Sequence, residues 1–495
     1  HTMTRQPDWI AVAADIADVT TSPSASIPIR PNASICCWRV ENELFVTKRT
    51  RMPAARRRLM ASTAPAMGSC ANHTTPSRSQ RTTLVERVLL IAPNPATLVA
   101  VPRFEPFPAL RYSTQASTDI TSLTSAPYDV FDEDRRGEYA AMNTNNIVLV
   151  DYPIEADGAA RYDKSASVLS AWIADGTVVQ DSSPTFSIYR MTFTDEAGRS
   201  RTTIGVIGAL EVVDEGAGGV LPHERTTPKA KTDRLDLTRA TQANLSPIWG
   251  LSLTQGLTDA LVEPATVVAQ CTDEEGVQHV LERVEDPARI ARISELVSAN
   301  PVLIADGHHR YAISRTYRDE VRANGGPADA ELTMTYVGEL VQEQLSVAAI
   351  HRLYDISPQA LLAALTPFYE TSDAGVIGAH TISEMDTKGC LCLVSPDGTG
   401  TYLTPKEDAL SSVRALDSSR LEHALSSTEH TVSYQHGVKE ILGKVSSGVY
   451  SAAILIRPVS LQEIRRTADT GELMPPKSTF FTPKLRTGMV MRPLR

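Results

Sequence analysis

Three features of the sequence predict a mixed α/β (α+β) fold. Short apolar runs stop at glycine turns, paired runs separated by turn residues read as hairpins, and amphipathic helical stretches lie between them. No internal repeat is evident. At 495 residues the chain is long enough for two or three domains with a sizeable core. Its 42% hydrophobic and 21% charged content is that of an ordinary globular protein.

Residues 1–85 stand apart. They are rich in Ser, Thr, Ala, Pro and Arg and show no sustained period, so they read as a disordered or extraneous N-terminal extension. From Arg103 order begins. Ala126-Pro127-Tyr128-Asp129-Val130 is a turn before an acidic helical piece that ends near Met142. Phe186–Phe193 and Thr202–Val213 form a hairpin about Asp195–Gly198. The glycine-rich loop 216–219 delivers the chain to Leu221-Pro222-His223-Glu224-Arg225-Thr226, and Lys229–Asn244 is helical and charged. A helix over Ala291–Ser298 leads to the strand Pro301–Ala305. Asp306-Gly307 breaks this strand, and Ile313, Tyr317 and Val321 then mark one face of a helix that Asn324-Gly325-Gly326-Pro327 stops. An alternating strand at Leu332, Met334 and Tyr336 follows, then a strand ending at His351-Arg352. Ser357-Pro358 opens a helix, Leu391–Thr404 is a hairpin about Pro396-Asp397-Gly398, and Ala452–Val459 is a strand. Ser460–Glu463 is a capping box, and its helix breaks at Gly471. The division read from this pattern is an extension over 1–85, a core over 100–330 and a C-terminal α+β part over 331–495.

The stretch Asp306-Gly307-His308-His309-Arg310-Tyr311 carries the most chemistry. A strand, a glycine turn and a helix in that order aim the helix's first N–H groups at whatever occupies the turn, and such an end attracts phosphate. His308, His309 and Arg310 crowd the same place, and Arg310 could grip a phosphate bidentately. Glu224, beside His223 and Arg225, is a candidate general base, with a salt-bridged loop as the alternative. Lys477-Ser478-Thr479 and Lys484 lie in a proline-stiffened loop suited to phosphate contacts. Tyr128 and Asp129 are candidates for substrate or Mg²⁺ contact. Asp233-Arg234 and Arg352 are further charged candidates, and Asp306 and His309 complete the catalytic candidates.

These motifs resemble a known family. Phe104-Glu105-Pro106-Phe107-Pro108-Ala109-Leu110-Arg111, the Ala126–Val130 turn, His223–Thr226 with Asp233-Arg234, the D-G-H-H-R-Y box, His351-Arg352 and Met474–Lys484 together resemble the family catalogued as domain of unknown function 1015. The box itself is similar to the phosphate-binding box of the ParB/sulfiredoxin-like superfamily, which includes free-serine kinases. The resemblance implies a ParB/sulfiredoxin-like core with additional α+β subdomains. It implies ATP or ADP with Mg²⁺, its phosphates on Gly307, His308, His309 and Arg310, and transfer to the hydroxyl of L-serine or a similar small molecule. Two rivals are a non-catalytic nucleotide-binding regulator of ParB-like type and a phosphatase- or nuclease-like hydrolase using the histidines.

No G-x-x-x-x-G-K-[ST], G-x-S-x-G, dinucleotide G-x-G-x-x-G or protein-kinase signature is present. Haem, flavin, NAD and zinc are not expected, nor is a dedicated metal cage. Residues 1–90 hold 12 Lys/Arg against 6 Asp/Glu, so a chain of net charge −10 leaves −16 on the rest, which disfavours nucleic acid. Six scattered cysteines in no zinc spacing and the lack of a membrane-length apolar run predict a cytoplasmic protein, and the resemblance implies a small-molecule substrate and a nucleotide as its partners. Cys390 and Cys392 are expected on one strand face as small hydrophobes.

Overall fold

A computed structural model describes residues 100–495 apart from 115–116, 195–198, 224–230, 345 and 379. The extension over 1–85, the hairpin turn at Asp195–Gly198 and Glu224, Arg225 and Thr226 lie outside the described residues.

Nine strands form the first sheet: β1 (Phe104–Glu105), β2 (Phe186–Thr194), β3 (Ser200–Glu211), β4 (Val220–Pro222), β5 (Ile248–Ser252), β6 (Thr266–Thr272), β7 (Gln278–Val284), β8 (Val302–Asp306) and β9 (Leu332–Glu339). Their order is β4-β8-β5-β9-β3-β2-β7-β6, with β1 beside β3. β8 runs parallel to β4 and β9 parallel to β5, and the other pairs are antiparallel. Six strands form a second sheet: β10 (His351–Tyr354), β11 (Tyr369–Val376), β12 (Leu391–Val394), β13 (Thr399–Pro405), β14 (Val432–Gln435) and β15 (Ala452–Leu455), in the order β11-β13-β12-β15-β10-β14.

The first sheet is covered on both faces. Along β2 and β3, Phe186, Ile188, Ile204 and Val206 enter one core, while Tyr189, Met191, Ile207 and Ala209 enter the other. That is the two-residue period of a strand used on both sides. All eight residues of β9 are buried for the same reason, so the alternation at Leu332, Met334 and Tyr336 marks one face of a doubly buried strand. β9 also stands in the middle of the first sheet, so that sheet runs past the expected division at 330/331. The chain's end packs on one face of it, Met489, Val490 and Met491 sharing a core with Tyr189, Met191 and Tyr336, while residues 492–493 pair with 243–244 and Met491 bridges Leu110.

Several strand limits differ from the sequence reading, most of them by one or two residues and two by more. His351 opens β10 instead of ending a strand, and β15 stops at Leu455. The helix expected over Ala291–Ser298 begins earlier, at Pro287 behind its cap Asp286, and residues 243–244 of the expected Lys229–Asn244 helix are extended and pair with 492–493, while other elements fall where local chemistry put them. Ser357 and Ser460 cap their helices by accepting from Ala360 and Glu463 N–H, and Gly471 ends the second at φ 70°. Cys390 and Cys392 are fully buried in one apolar cluster, while Leu391 and Leu393 enter another.

β3 and β9 pack too closely for side chains at every position. A Cβ at Gly205 would overlap the ring of Tyr336, which is itself fully buried. Gly205→Ala is expected to lower the unfolding free energy by about 2 kcal/mol, read from the urea midpoint at unchanged slope.

Candidate functional site

The site begins where two parallel strands end together. β4 and β8 pair in the register Leu303↔Leu221 and Ile304↔Pro222, so His223 leaves β4 level with the last residues of β8. Val302–Ala305 are buried, and Asp306 is the first side chain of the strand to reach partial exposure. Gly307 then turns the chain at φ 85°, a conformation that favours glycine, and a Cβ there would come within 3.1 Å of Arg310 Nε. The helix His308–Ala323 follows, sixteen residues long, with Tyr311, Ile313 and Tyr317 buried. Its first N–H groups, unsatisfied within the helix, face the turn.

His223 is buried and locks this corner. Its Nδ1 donates to the carbonyl of Ile304, so Nε2 is the acceptor for the Thr479 hydroxyl at 2.8 Å. Its backbone N–H donates to His308 Nε2 at 3.4 Å, and the two rings meet edge to face at 4.6 Å. Burial, and then the neighbouring His223, push His308 well below the usual imidazole range, so His308 is neutral. The His223 carbonyl accepts from Met474 N–H at 2.8 Å. Residues 474–484 are thereby drawn over the turn.

Asp306 is the electrostatic centre. It accepts from Arg310 Nη2 at 3.2 Å and from Lys484 Nζ at 3.4 Å. Burial alone would raise its carboxyl, but the cations Lys484, Arg310 and Lys477 outweigh that and hold it well below the usual carboxylate range. A carboxylate held so low is a counter-ion and a poor proton acceptor. Arg310 also donates to the carbonyl of Pro247, so its guanidinium is clamped before any ligand arrives. Lys477 and Gln242 are the two non-glycine residues with positive φ among the described residues, Lys477 at 59°. Such strain concentrates at functional loops. Ser478 is buried and donates to Pro475 O, supporting the loop.

On the far side of Arg310 lies a cavity of about 50 Å³, lined by Tyr128, Asp151, Arg234, Arg310, Ser314 and Thr333 among others. Arg234 lies 3.5 Å over the Tyr128 ring and donates to Asp151 at its carbonyl (2.5 Å) and Oδ1 (3.1 Å). Burial raises the Asp151 carboxyl against the pull of Arg234 and Arg310, and burial followed by Asp129 pushes the Tyr128 hydroxyl up to about 12. Tyr128, Arg234 and Arg310, motif residues far apart in the sequence, thus line one space. Sequence reasoning missed Asp151; the available signal was a lone carboxylate closing the apolar run Ile147–Val150.

On the near side, Lys484 lies 4.2 Å over the Phe480 ring and borders a cleft of about 520 Å³. Ala126 and Pro127 line the cleft while Tyr128 lines the small cavity, so the Ala126–Val130 turn connects the two.

The remaining candidates are placed as follows. Asp129 is exposed and His309 half-buried on the helix's first turn. Asp233 is half-exposed, taking the Tyr162 hydroxyl at 2.8 Å and Arg161 at 3.6 Å. Arg352 is buried in the second sheet, donating to Ile350 O and standing 4.9 Å from the Tyr434 ring centroid. Glu224 and Arg225 are outside the described residues, directly after His223. Among the described residues no group of three or more His, Cys, Asp or Glu could hold a metal ion, and no helix is long and apolar enough to cross a membrane.

Residues 104–419 match the model of the family described as protein of unknown function (DUF1015). The chain belongs to this family. The match stops before Met474–Lys484, which this DUF1015 member brings to the turn through the contacts above. No curated protein matches the chain. Among solved structures it is similar to a conserved hypothetical protein from Pyrococcus furiosus, at 11% identity over 53% of this chain and 87% of that one (TM-score 0.30). A free serine kinase in complex with AMP gives 10% identity over 53% and 83% (TM-score 0.30). SbnI with a C-terminal truncation, from Staphylococcus aureus, gives 14% over 58% and 87% (TM-score 0.33).

Proposed function

We propose that this protein transfers a phosphoryl group from a nucleotide to the hydroxyl of a small metabolite. The observation that carries the reading is the meeting of the Gly307 turn and its long helix with the Lys477–Lys484 loop, Lys484 standing 3.4 Å from Asp306. Helix N–H groups, Arg310, Lys477 and Lys484 would hold the phosphates of ATP or ADP. Gly307 favours such a fit, since a side chain there would press on Arg310. Mg²⁺ usually arrives with phosphate on one or two carboxylates, one of which Asp129 could supply.

In this reading Glu224 takes the proton of the acceptor hydroxyl. The hydroxyl oxygen bonds to the terminal phosphorus as the bond from phosphorus to the bridging oxygen breaks, and the departing nucleotide keeps that electron pair. Asp306 keeps Arg310 and Lys484 in place, and the two cations neutralise the transferring charge. His223 positions Thr479 and, through it, the loop. A hydrolase built on His308 is disfavoured, because that ring is neutral with Nε2 turned to a backbone N–H.

Phosphorus NMR with Mg²⁺, L-serine and either ATP or ADP is the test. A new phosphomonoester resonance, absent in Arg310→Ala and Glu224→Gln, is expected. Failure of either nucleotide to bind by calorimetry would overturn the proposal.

A further inference from the structure

The loop drawn over the Gly307 turn carries a hydroxyl with a base already against it. Thr479 gives its O–H to His223 Nε2 at 2.8 Å, and the other ring nitrogen gives its hydrogen to the Ile304 carbonyl. That is the geometry of an activated nucleophile: a hydroxyl, an imidazole nitrogen to take its proton, and a third group that fixes the ring. Because the hydroxyl hydrogen points at Nε2, the lone pairs of the oxygen are turned away from the ring.

Its surroundings set Thr479 apart from other hydroxyls. Ser478, its neighbour in the chain, is buried and gives its hydrogen to Pro475 O at 2.7 Å. Tyr189 also meets a histidine, His279 at 2.9 Å, but both are fully buried and the Tyr189 oxygen accepts from Arg486 N–H at 3.1 Å. Thr479 is half-buried, and its loop is pinned on both sides of it. Met474 N–H holds the His223 carbonyl before it, and Phe480-Phe481 pairs with Val347-Ala348 after it. His223 meanwhile reaches the first residue of the long helix, its backbone N–H donating to His308 Nε2 at 3.4 Å. One imidazole therefore joins Thr479 to the helix end that takes the nucleotide's phosphates in the reading above.

We propose that Thr479 is a phosphoryl acceptor within the chain, with His223 as its base. This rests on the nucleotide reading of the Gly307 turn. The Thr479 oxygen bonds to the terminal phosphorus as the bond from phosphorus to the bridging oxygen breaks, and the departing nucleotide keeps that electron pair. The hydroxyl proton passes to His223 Nε2. The product carries about two negative charges. It lies in the loop of Lys477 and Lys484, near a helix end that favours an anion.

The full chain with Mg²⁺ and either ATP or ADP, and no small acceptor, tests it by intact mass and peptide mapping. One phosphate on Thr479 is expected. It is expected to persist at this position in Thr479→Ser, to vanish in Thr479→Val, and to form about 10²-fold or more slowly in His223→Gln. The two Thr479 variants keep the test valid even if His223→Gln does not fold. The first-order rate constant is expected to hold over about a tenfold range of protein concentration, as for a step within one molecule. Phosphate on another residue, its retention in Thr479→Val, or a rate constant that rises with protein concentration overturns the assignment. So does a protein left unmodified although calorimetry shows nucleotide bound. If that unmodified protein forms a phosphomonoester from L-serine, Thr479 is sunk and transfer to a small metabolite is spared. Phosphothreonine at 479 with no small hydroxyl compound phosphorylated upholds Thr479 and sinks transfer to a metabolite.

Discussion

Arg310→Lys is expected to slow the proposed phosphoryl transfer about 10³-fold, although the charge is kept. The guanidinium has two fixed engagements, Nη1 to the Pro247 carbonyl and Nη2 to Asp306 at 3.2 Å, and it also borders the cavity shared with Tyr128 and Arg234. A planar fork can serve both acceptors and still present a face to a ligand. An ammonium on a flexible stem holds one acceptor at a time and loses more rotamer freedom for each bond it keeps. The Pro247 carbonyl would then lose its donor, and Asp306 would rely on Lys484. Initial rates of phosphomonoester formation at saturating nucleotide, beside nucleotide affinity by calorimetry, separate the two roles. A fall in rate much larger than the fall in affinity is the expected pattern, since a preorganised donor matters most where charge is developing. Full activity in the lysine variant would mean that Arg310 only braces the turn.

Local chemistry made much of the fold legible. The break at Asp306-Gly307, the capping serines 357 and 460, the hairpin about Asp397-Gly398 and the Ile313/Tyr317 face are each written within a few residues, and the structure has each of them. Long-range partners were not legible. Nothing in the sequence near Lys484 says that it reaches Asp306, 178 positions away, or that Arg486 meets Glu274, 212 positions away. Those pairings follow from the return of residues 474–495 across the first sheet, which leaves no periodic trace. β9 shows the same limit in another form. Its alternation at Leu332, Met334 and Tyr336 is legible, but alternation does not say which strands lie on either side, so a division at 330 is natural to a reader of pattern while the sheet runs past it. The family resemblance compensated in part, because it grouped Tyr128, Arg234 and Arg310 before any geometry did. It could not single out Asp151, which sits with them.

Asp306→Asn is expected to destabilise the protein by about 2–3 kcal/mol at neutral pH, with the difference vanishing in acid. Removing one member of a buried ion pair costs about 3–5 kcal/mol because the other charge is stranded. Partial exposure of Asp306, 31% of its side chain, lowers that range. Here two cations are stranded, Arg310 and Lys484, and both are mostly buried. The pH dependence follows from the depressed carboxyl. Unfolded, an aspartate titrates near 3.9, whereas the folded form is held well below the usual range by Lys484 and Arg310 against burial. The unfolded chain therefore binds the proton more readily, so stability rises with pH through the acid range. The contribution of Asp306 is complete above about pH 5 and is lost as pH falls through the folded value. A protonated aspartate and an asparagine carry the same charge, so the two proteins should converge as the pH drops. Other carboxylates weaken both proteins alike and cancel in the difference. Urea unfolding of wild type and variant at pH 7, 5, 4 and 3 measures it. A constant gap across that range would mean that the asparagine acts through packing, and that Asp306 is not the counter-ion on which the cations of this site depend.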